Sequence, residues 1–290
     1  MPWLACLAET AGTFIIVFLG TGVIHAAVLT GAQADLWQVA VVWGLAVTLA
    51  IYATAAYSGA HLNPAVTAAY AVWRAFPARK VFPYIMAQLL GAFLAAAVLH
   101  ALFGGILADF EKTHGLTRGQ GGSELSAMVY GEYFPNPGLG ALSKTRACVS
   151  KLQAMLAEGL GTLFLVFMIF TLTDKRNAKR PMDRLAPPFI GLAVAAAVSV
   201  IAPLTQAGLN PARDFGPRLF AWLAGWGQIA IPGPRGGFFT VYILAPMLGG
   251  LAGASLHEWF ARLALVRSVT GVSVPHRRSK ENSSISTPAA

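Results

Sequence analysis

The chain has 290 residues, of which 56% are hydrophobic and only 11% charged, at a mean hydropathy of +0.60; soluble chains carry about 25% charged residues. That composition excludes an ordinary soluble domain and points to a membrane protein. The formal net charge of +9 would suit a nucleic-acid partner, but the basic residues fall in loops and in the tail between apolar spans, as topology signals do, so no nucleic acid is expected.

Residues 4–28 are apolar and rich in Gly and Ala, with one carboxylate, Glu9. They are long enough to cross a bilayer, which takes roughly 20 helical residues. No basic stretch precedes them and further spans follow, so they read as a first span and not as a cleaved signal peptide. Cys6 lies in this span and Cys148 precedes the fourth, which does not indicate a disulfide framework.

A second span, about 36–56, holds Trp43 and Thr48. It leads into Ser58-Gly59-Ala60-His61-Leu62-Asn63-Pro64-Ala65-Val66. Asn caps free backbone N–H groups and Pro fits the first helical position, so Asn63-Pro64 starts a helix. The apolar run after it, about 64–74, is too short to span and predicts a half-helix that enters the membrane and stops.

The third span is expected over about 82–104, with Gln88 inside, followed by a connector over 105–150 that is rich in Gly and Pro. The fourth span, about 152–173, opens Ala157-Glu158-Gly159-Leu160-Gly161-Thr162, an echo of Ala8-Glu9-Thr10-Ala11-Gly12-Thr13. After a basic loop (Lys175, Arg176, Lys179, Arg180, Arg184) comes a fifth span, about 187–203. A second Asn-Pro-Ala stretch follows, Gln206-Ala207-Gly208-Leu209-Asn210-Pro211-Ala212-Arg213, and then a sixth span near 238–260. The tail from 266 lacks periodicity and is expected to be disordered.

The echoes keep a nearly constant offset. Glu9 and Glu158 are 149 residues apart, Gly44 and Gly191 are 147 apart, and so are Asn63 and Asn210. With three spans per half the second copy must enter the membrane upside down, which makes an inverted repeat. The fold class is therefore all-α membrane protein, six transmembrane helices plus two re-entrant half-helices. Repeat one covers about 4–104, the connecting loop 105–150 and repeat two about 152–262, within a membrane domain of 1–265 followed by the tail, 266–290. Placing both termini in the cytoplasm puts thirteen of the 21 Lys and Arg residues inside, as the positive-inside rule asks.

In this geometry the two half-helices meet near the midplane, each aiming an Asn and a positive dipole end at one point. Such a point repels cations and donates hydrogen bonds to a passing oxygen. The residues before each Asn cannot be helical, and the carbonyls of Gly59, Ala60, His61, Leu62, Thr205, Gln206 and Gly208 are expected to line a wet path. A small neutral solute fits that path. Glu9 and Glu158 read best as structural acceptors for the nonhelical backbone, His61 as an orienting or packing residue, and Asp214 as a partner of loop groups. No metal-ligand spacing and no nucleophile-base pair stands out, so neither an enzyme nor a cofactor is expected; an ion-coupled transporter is disfavoured by the scarcity of intramembrane charge.

Over roughly residues 4–262 the chain resembles the major intrinsic proteins, the aquaporins and glycerol facilitators. Asn210-Pro211-Ala212-Arg213-Asp214-Phe215-Gly216-Pro217 is similar to the glycerol-facilitator branch, as are Phe110-Glu111-Lys112-Thr113-His114, Tyr133-Phe134-Pro135-Asn136-Pro137 and Phe220-Ala221-Trp222-Leu223-Ala224-Gly225-Trp226-Gly227. The resemblance implies a selectivity constriction of Trp43, Val198, Ala207 and Arg213, in a homotetramer of one-pore subunits in the cell membrane. Trp43 and Arg213 match the branch; Val198 and Ala207 stand where it usually has Gly and Phe, a set similar to that of plant nodulin-like intrinsic proteins. Glycerol with some water is thus the first expectation, with arsenite, antimonite and urea as alternatives.

Overall fold

A computed structural model describes residues 2–33, 35–138 and 149–270; Cys148 and the tail from 271 lie outside the described residues. Among the described residues the regular structure is helical, with no strand. Six long helices are apolar enough to cross a membrane. They are α1 (Pro2–Thr30), α2 (Leu36–Ser58), α4 (Ala78–Thr113), α6 (Lys151–Thr173), α7 (Ala186–Thr205) and α9 (Ala245–Thr270), the last preceded by a wide turn, Phe238–Leu244. Between them lie α3 (Pro64–Trp73), the single turn α5 (Glu124–Ala127) and α8 (Pro211–Ala221). At 1.5 Å per residue, α3 and α8 are each about 15 Å long, half the hydrocarbon thickness of roughly 30 Å.

Local chemistry sets the helix starts. Asp35 accepts the Gln38 N–H at the start of α2, and Ser150 with Gln153 forms a reciprocal capping box on α6. Asn63 and Asn210 cap α3 and α8, each with Pro at the first helical position.

The repeat shows in the packing. α1 packs on α4 as α6 packs on α9, and α2 packs against α7 to join the halves. The half-helices cross over, α3 lying on α9 and α8 on α4. Close approach needs glycine at equivalent places: a Cβ on Gly91 would stand 2.2 Å from the Thr10 carbonyl oxygen, and one on Gly249 2.1 Å from that of Gly159. Between α2 and α7, Gly44 and Gly191 face each other, and a Cβ on either would fall within 2.5 Å of the other's carbonyl oxygen. In lipid, where hydrophobic burial between helices counts for little, such backbone approach is a main source of association.

Two boundaries differ from the sequence expectation. α4 does not stop near 104 but continues to Thr113. Its end is held by tertiary contacts: Leu107 is fully buried in a cluster with Met128, Tyr130 and Trp226, and both Glu111 carboxylate oxygens share the Arg118 Nε–H. α9 likewise runs to Thr270, past residue 266 where the tail was expected to begin.

Candidate functional site

The segment before each half-helix turns back through left-handed backbone at matching positions. Gly59, Ala60 and Leu62 have φ of 83°, 51° and 53°; Gln206, Ala207 and Leu209 have 65°, 59° and 55°. Five of these six carry a Cβ, and each such residue costs on the order of 1 kcal/mol. Two buried carboxylates hold the strained backbone in place. Glu9 accepts the N–H groups of His61 (2.9 Å) and Leu62 (2.7 Å) and the Gln88 amide (2.7 Å). Glu158 accepts the N–H groups of Gly208 (2.8 Å) and Leu209 (2.7 Å) and the Thr205 hydroxyl (2.6 Å). A proton-relay role would need a free carboxylate face, and these are taken up by fixed donors. His61 also packs its ring among Tyr70, Phe76 and Tyr84, with Nδ1 3.3 Å from the Thr67 hydroxyl.

At the junction the two asparagines reach across to each other's loops. Asn63 Nδ2 donates to the Leu209 carbonyl (3.0 Å) and Asn210 Nδ2 to the Leu62 carbonyl (2.8 Å). Their Oδ1 atoms accept the N–H groups of Ala65 and Ala212. An amide nitrogen has two hydrogens, so each Asn retains one for a visitor. Pro64, Ala65, Pro211 and Ala212 are themselves buried behind this contact.

A cavity of about 240 Å³ runs past both asparagines. Its lining includes residues 59–62 and 207–209, Asn63, Asn210 and Arg213. Much of the rest is apolar, with Ile16, Val47, Ile51, Leu165, Ile169, Ile190 and Val194. A small solute that carries both hydroxyls and C–H groups suits such a lining.

Trp43, Val198, Ala207 and Arg213 all line this cavity. The Arg213 guanidinium lies 4.1 Å above the Trp43 ring, a cation–π contact. Trp43 can sit there because a Cβ on Gly20 would stand 2.3 Å from its ring. Asp214 turns away from the cavity, taking a buried bidentate bond from Arg218 and accepting the Glu132 N–H (2.9 Å).

Thr205 and Gln206, whose carbonyls were expected along the path, are not among the residues that line the cavity. Thr205 is the last residue of α7, and its carbonyl accepts the Tyr242 hydroxyl. Gln206 points its side chain the other way, its Oε1 accepting the Tyr133 N–H (2.8 Å) and its Nε2 donating to the Met128 carbonyl (3.2 Å). Conversely, Glu132 pairs with Arg213, and both are buried. The sequence carried no signal for this: Glu132 lies in a loop 81 residues before its partner.

The fold also assembles a cluster not evident from spacing. Asp174, His257 and Glu258 place potential ligand atoms within 4.8 Å of one another. The two carboxylates are already engaged by Arg74 (3.1 and 2.9 Å) and Arg176 (2.6 Å to each), so a divalent ion would have to displace two guanidinium groups. The cluster reads as an ionic clasp that ties the end of α3 to α6 and α9. Burial pushes the Asp174 carboxyl up, but hydrogen bonds from Arg176 and Arg74 more than offset this and hold it well below the usual carboxylate range.

Comparison with known proteins agrees with this geometry. The family model described as major intrinsic protein matches residues 2–257. The propanediol uptake facilitator of Citrobacter freundii is 42% identical over 255 residues, 88% of this chain and 90% of that protein. The glycerol uptake facilitator protein of Haemophilus influenzae is 42% identical over 254 residues, 87% of this chain and 92% of that one. Among solved structures, the aquaglyceroporin from Plasmodium falciparum has the same fold, with a TM-score of 0.76 at 24% identity over 91% of this chain and all of that one.

Proposed function

The chain belongs to the major intrinsic protein family, and on that footing we propose that it is a passive membrane channel for glycerol and related small polyols, with some water. The observation that carries this reading is the reciprocal Asn63–Asn210 arrangement beside a largely apolar cavity that also holds Arg213. A polyol moves by exchanging hydrogen bonds with backbone carbonyls and the free Asn hydrogens, while its carbon chain slides over the Ile, Leu and Val side chains. Arg213 donates to hydroxyls at the constriction and Trp43 packs against carbon. The converging half-helix N-termini and the Asn donors disfavour cations, as in aquaporin-type pores. There is no covalent step and no ion coupling.

In this reading the termini and the 175–184 loop are cytoplasmic, the constriction lies toward the outer face, and four subunits assemble with one pore each. Ala207 and Val198 favour a second substrate set, urea and metalloid hydroxides, because the corner that a Phe would fill at 207 is left to a methyl group. Stopped-flow light scattering on proteoliposomes tests the proposal: glycerol should equilibrate faster than in empty liposomes. Equal rates for glycerol, urea and water would overturn it.

A further inference from the structure

We propose that Tyr70, backed by Thr173, forms a second station of solute discrimination, on the far side of the Asn pair from Arg213. This rests on the channel reading above and names a further determinant of its selectivity.

The two repeats differ just past their asparagines. Arg213 follows Asn210 by three residues, and the matching position after Asn63, 147 residues earlier, is Val66. Both line the cavity, but the Val66 side chain has no hydrogen-bonding group. The next residue of α3 to line the cavity is Tyr70. It lies seven residues beyond Asn63, about 10 Å along the helix axis. Since α3 and α8 both start at the junction and belong to opposite halves of an inverted repeat, Tyr70 and Arg213 fall on opposite sides of it.

Tyr70 is held from three directions. Its ring lies 4.6 Å from that of His61 and meets Phe170 edge-on at 5.2 Å. Its hydroxyl pairs with that of Thr173, the last residue of α6, which also lines the cavity. The Thr173 hydroxyl gives its single hydrogen to the Ile169 carbonyl (2.7 Å). Tyr70 is therefore the donor of the pair, and its own oxygen is left to accept. The ionic clasp keeps the two elements in register: Arg74, four residues after Tyr70, bonds Asp174, the neighbour of Thr173, and lies 4.7 Å over the Phe170 ring.

The chemistry of this station complements the rest of the path. The side chains of Asn63, Asn210 and Arg213 donate, whereas Tyr70 accepts from a solute O–H and sets an aromatic ring beside the carbon chain. Its hydroxyl thus favours solutes with more O–H groups, and its ring limits their girth.

The test uses the full chain in proteoliposomes, with glycerol, propane-1,2-diol and the four-carbon polyol erythritol as probes. Tyr70→Phe removes the hydroxyl and keeps the ring. It should lower the glycerol-to-propanediol permeability ratio by about fivefold, the scale of one hydrogen bond, and leave the erythritol-to-glycerol ratio unchanged. Tyr70→Leu removes the ring as well and should also raise the erythritol-to-glycerol ratio. Fluxes that fall together at constant ratios would mark a merely structural residue and overturn the proposal, as would a glycerol-to-propanediol ratio that rises. If Tyr70→Phe does not assemble, Thr173→Val decides by the same ratio, which should fall because the Tyr70 hydroxyl loses the partner that orients it. Absence of glycerol flux in the unmodified chain would instead count against the channel reading itself.

Discussion

Asn63 and Asn210 each donate a hydrogen bond to the carbonyl of the residue preceding the other, at 3.0 and 2.8 Å. Each half-helix cap is thus completed by the opposite repeat. Oδ1 serves the residue's own helix, one amide hydrogen locks the partner loop, and the other is left for solute.

Asn63→Asp should break this reciprocity. A carboxylate can still cap α3 but cannot donate to Leu209, and it sets an anion beside a carbonyl oxygen. Replacing a buried donor in this way costs about 1–3 kcal/mol. Glycerol flux should fall by about tenfold or more, and a cation conductance absent from the unmodified channel should appear in planar bilayers.

Glu158→Gln removes a charge that supports the left-handed segment at 206–209. The Gln amide can accept through one oxygen only, and its nitrogen would face an N–H group. Loss of one charge-assisted bond and repulsion at a second should destabilise the protein by roughly 3 kcal/mol. Thermal unfolding in detergent measures this, and Glu9→Gln should behave alike because Glu9 makes the equivalent pair of bonds.

Ala207→Phe should fill space that the Ala207 methyl leaves open in the cavity. Bulky solutes should lose most, so the permeability of urea, the smaller molecule, should rise relative to glycerol by about tenfold, the scale on which a shape change in an apolar pocket discriminates. Competitive flux measurements read the ratio directly, and an unchanged ratio would place Ala207 outside the constriction.

Asp174→Asn tests the ionic clasp. The folded carboxyl lies below its ordinary value of 3.8. Its contribution is therefore fully present above that value and is lost as pH falls through the folded one. At pH 7 the variant should be less stable by about 2 kcal/mol, and the difference should shrink once the pH drops below about 4. Melting curves at pH 7 and at about pH 2, below the ordinary carboxylate range, give the comparison.

What the sequence by itself determined is what short-range rules govern. Six apolar runs, the Asn-Pro helix starts at 63 and 210, and the offsets near 147 are sufficient for the inverted repeat, because span length, capping and duplication are properties of contiguous residues. The meeting of Trp43 with Arg213 followed from family resemblance, not from any local pattern. The rest was decided by the tertiary structure. α4 continues past Gly104 and Gly105 because Leu107 and Glu111 find partners in the 118–130 segment and beyond. Gln206 leaves the cavity for the loop because Tyr133 and Met128 offer a donor and an acceptor there. Glu132 reaches Arg213 and Asp174 reaches Arg74, across separations of 81 and 100 residues. Such pairings exist only once two elements have packed. In a buried, weakly screened site a charge must find its partner wherever the fold brings one within reach, and neither periodicity nor spacing along the chain records where that is.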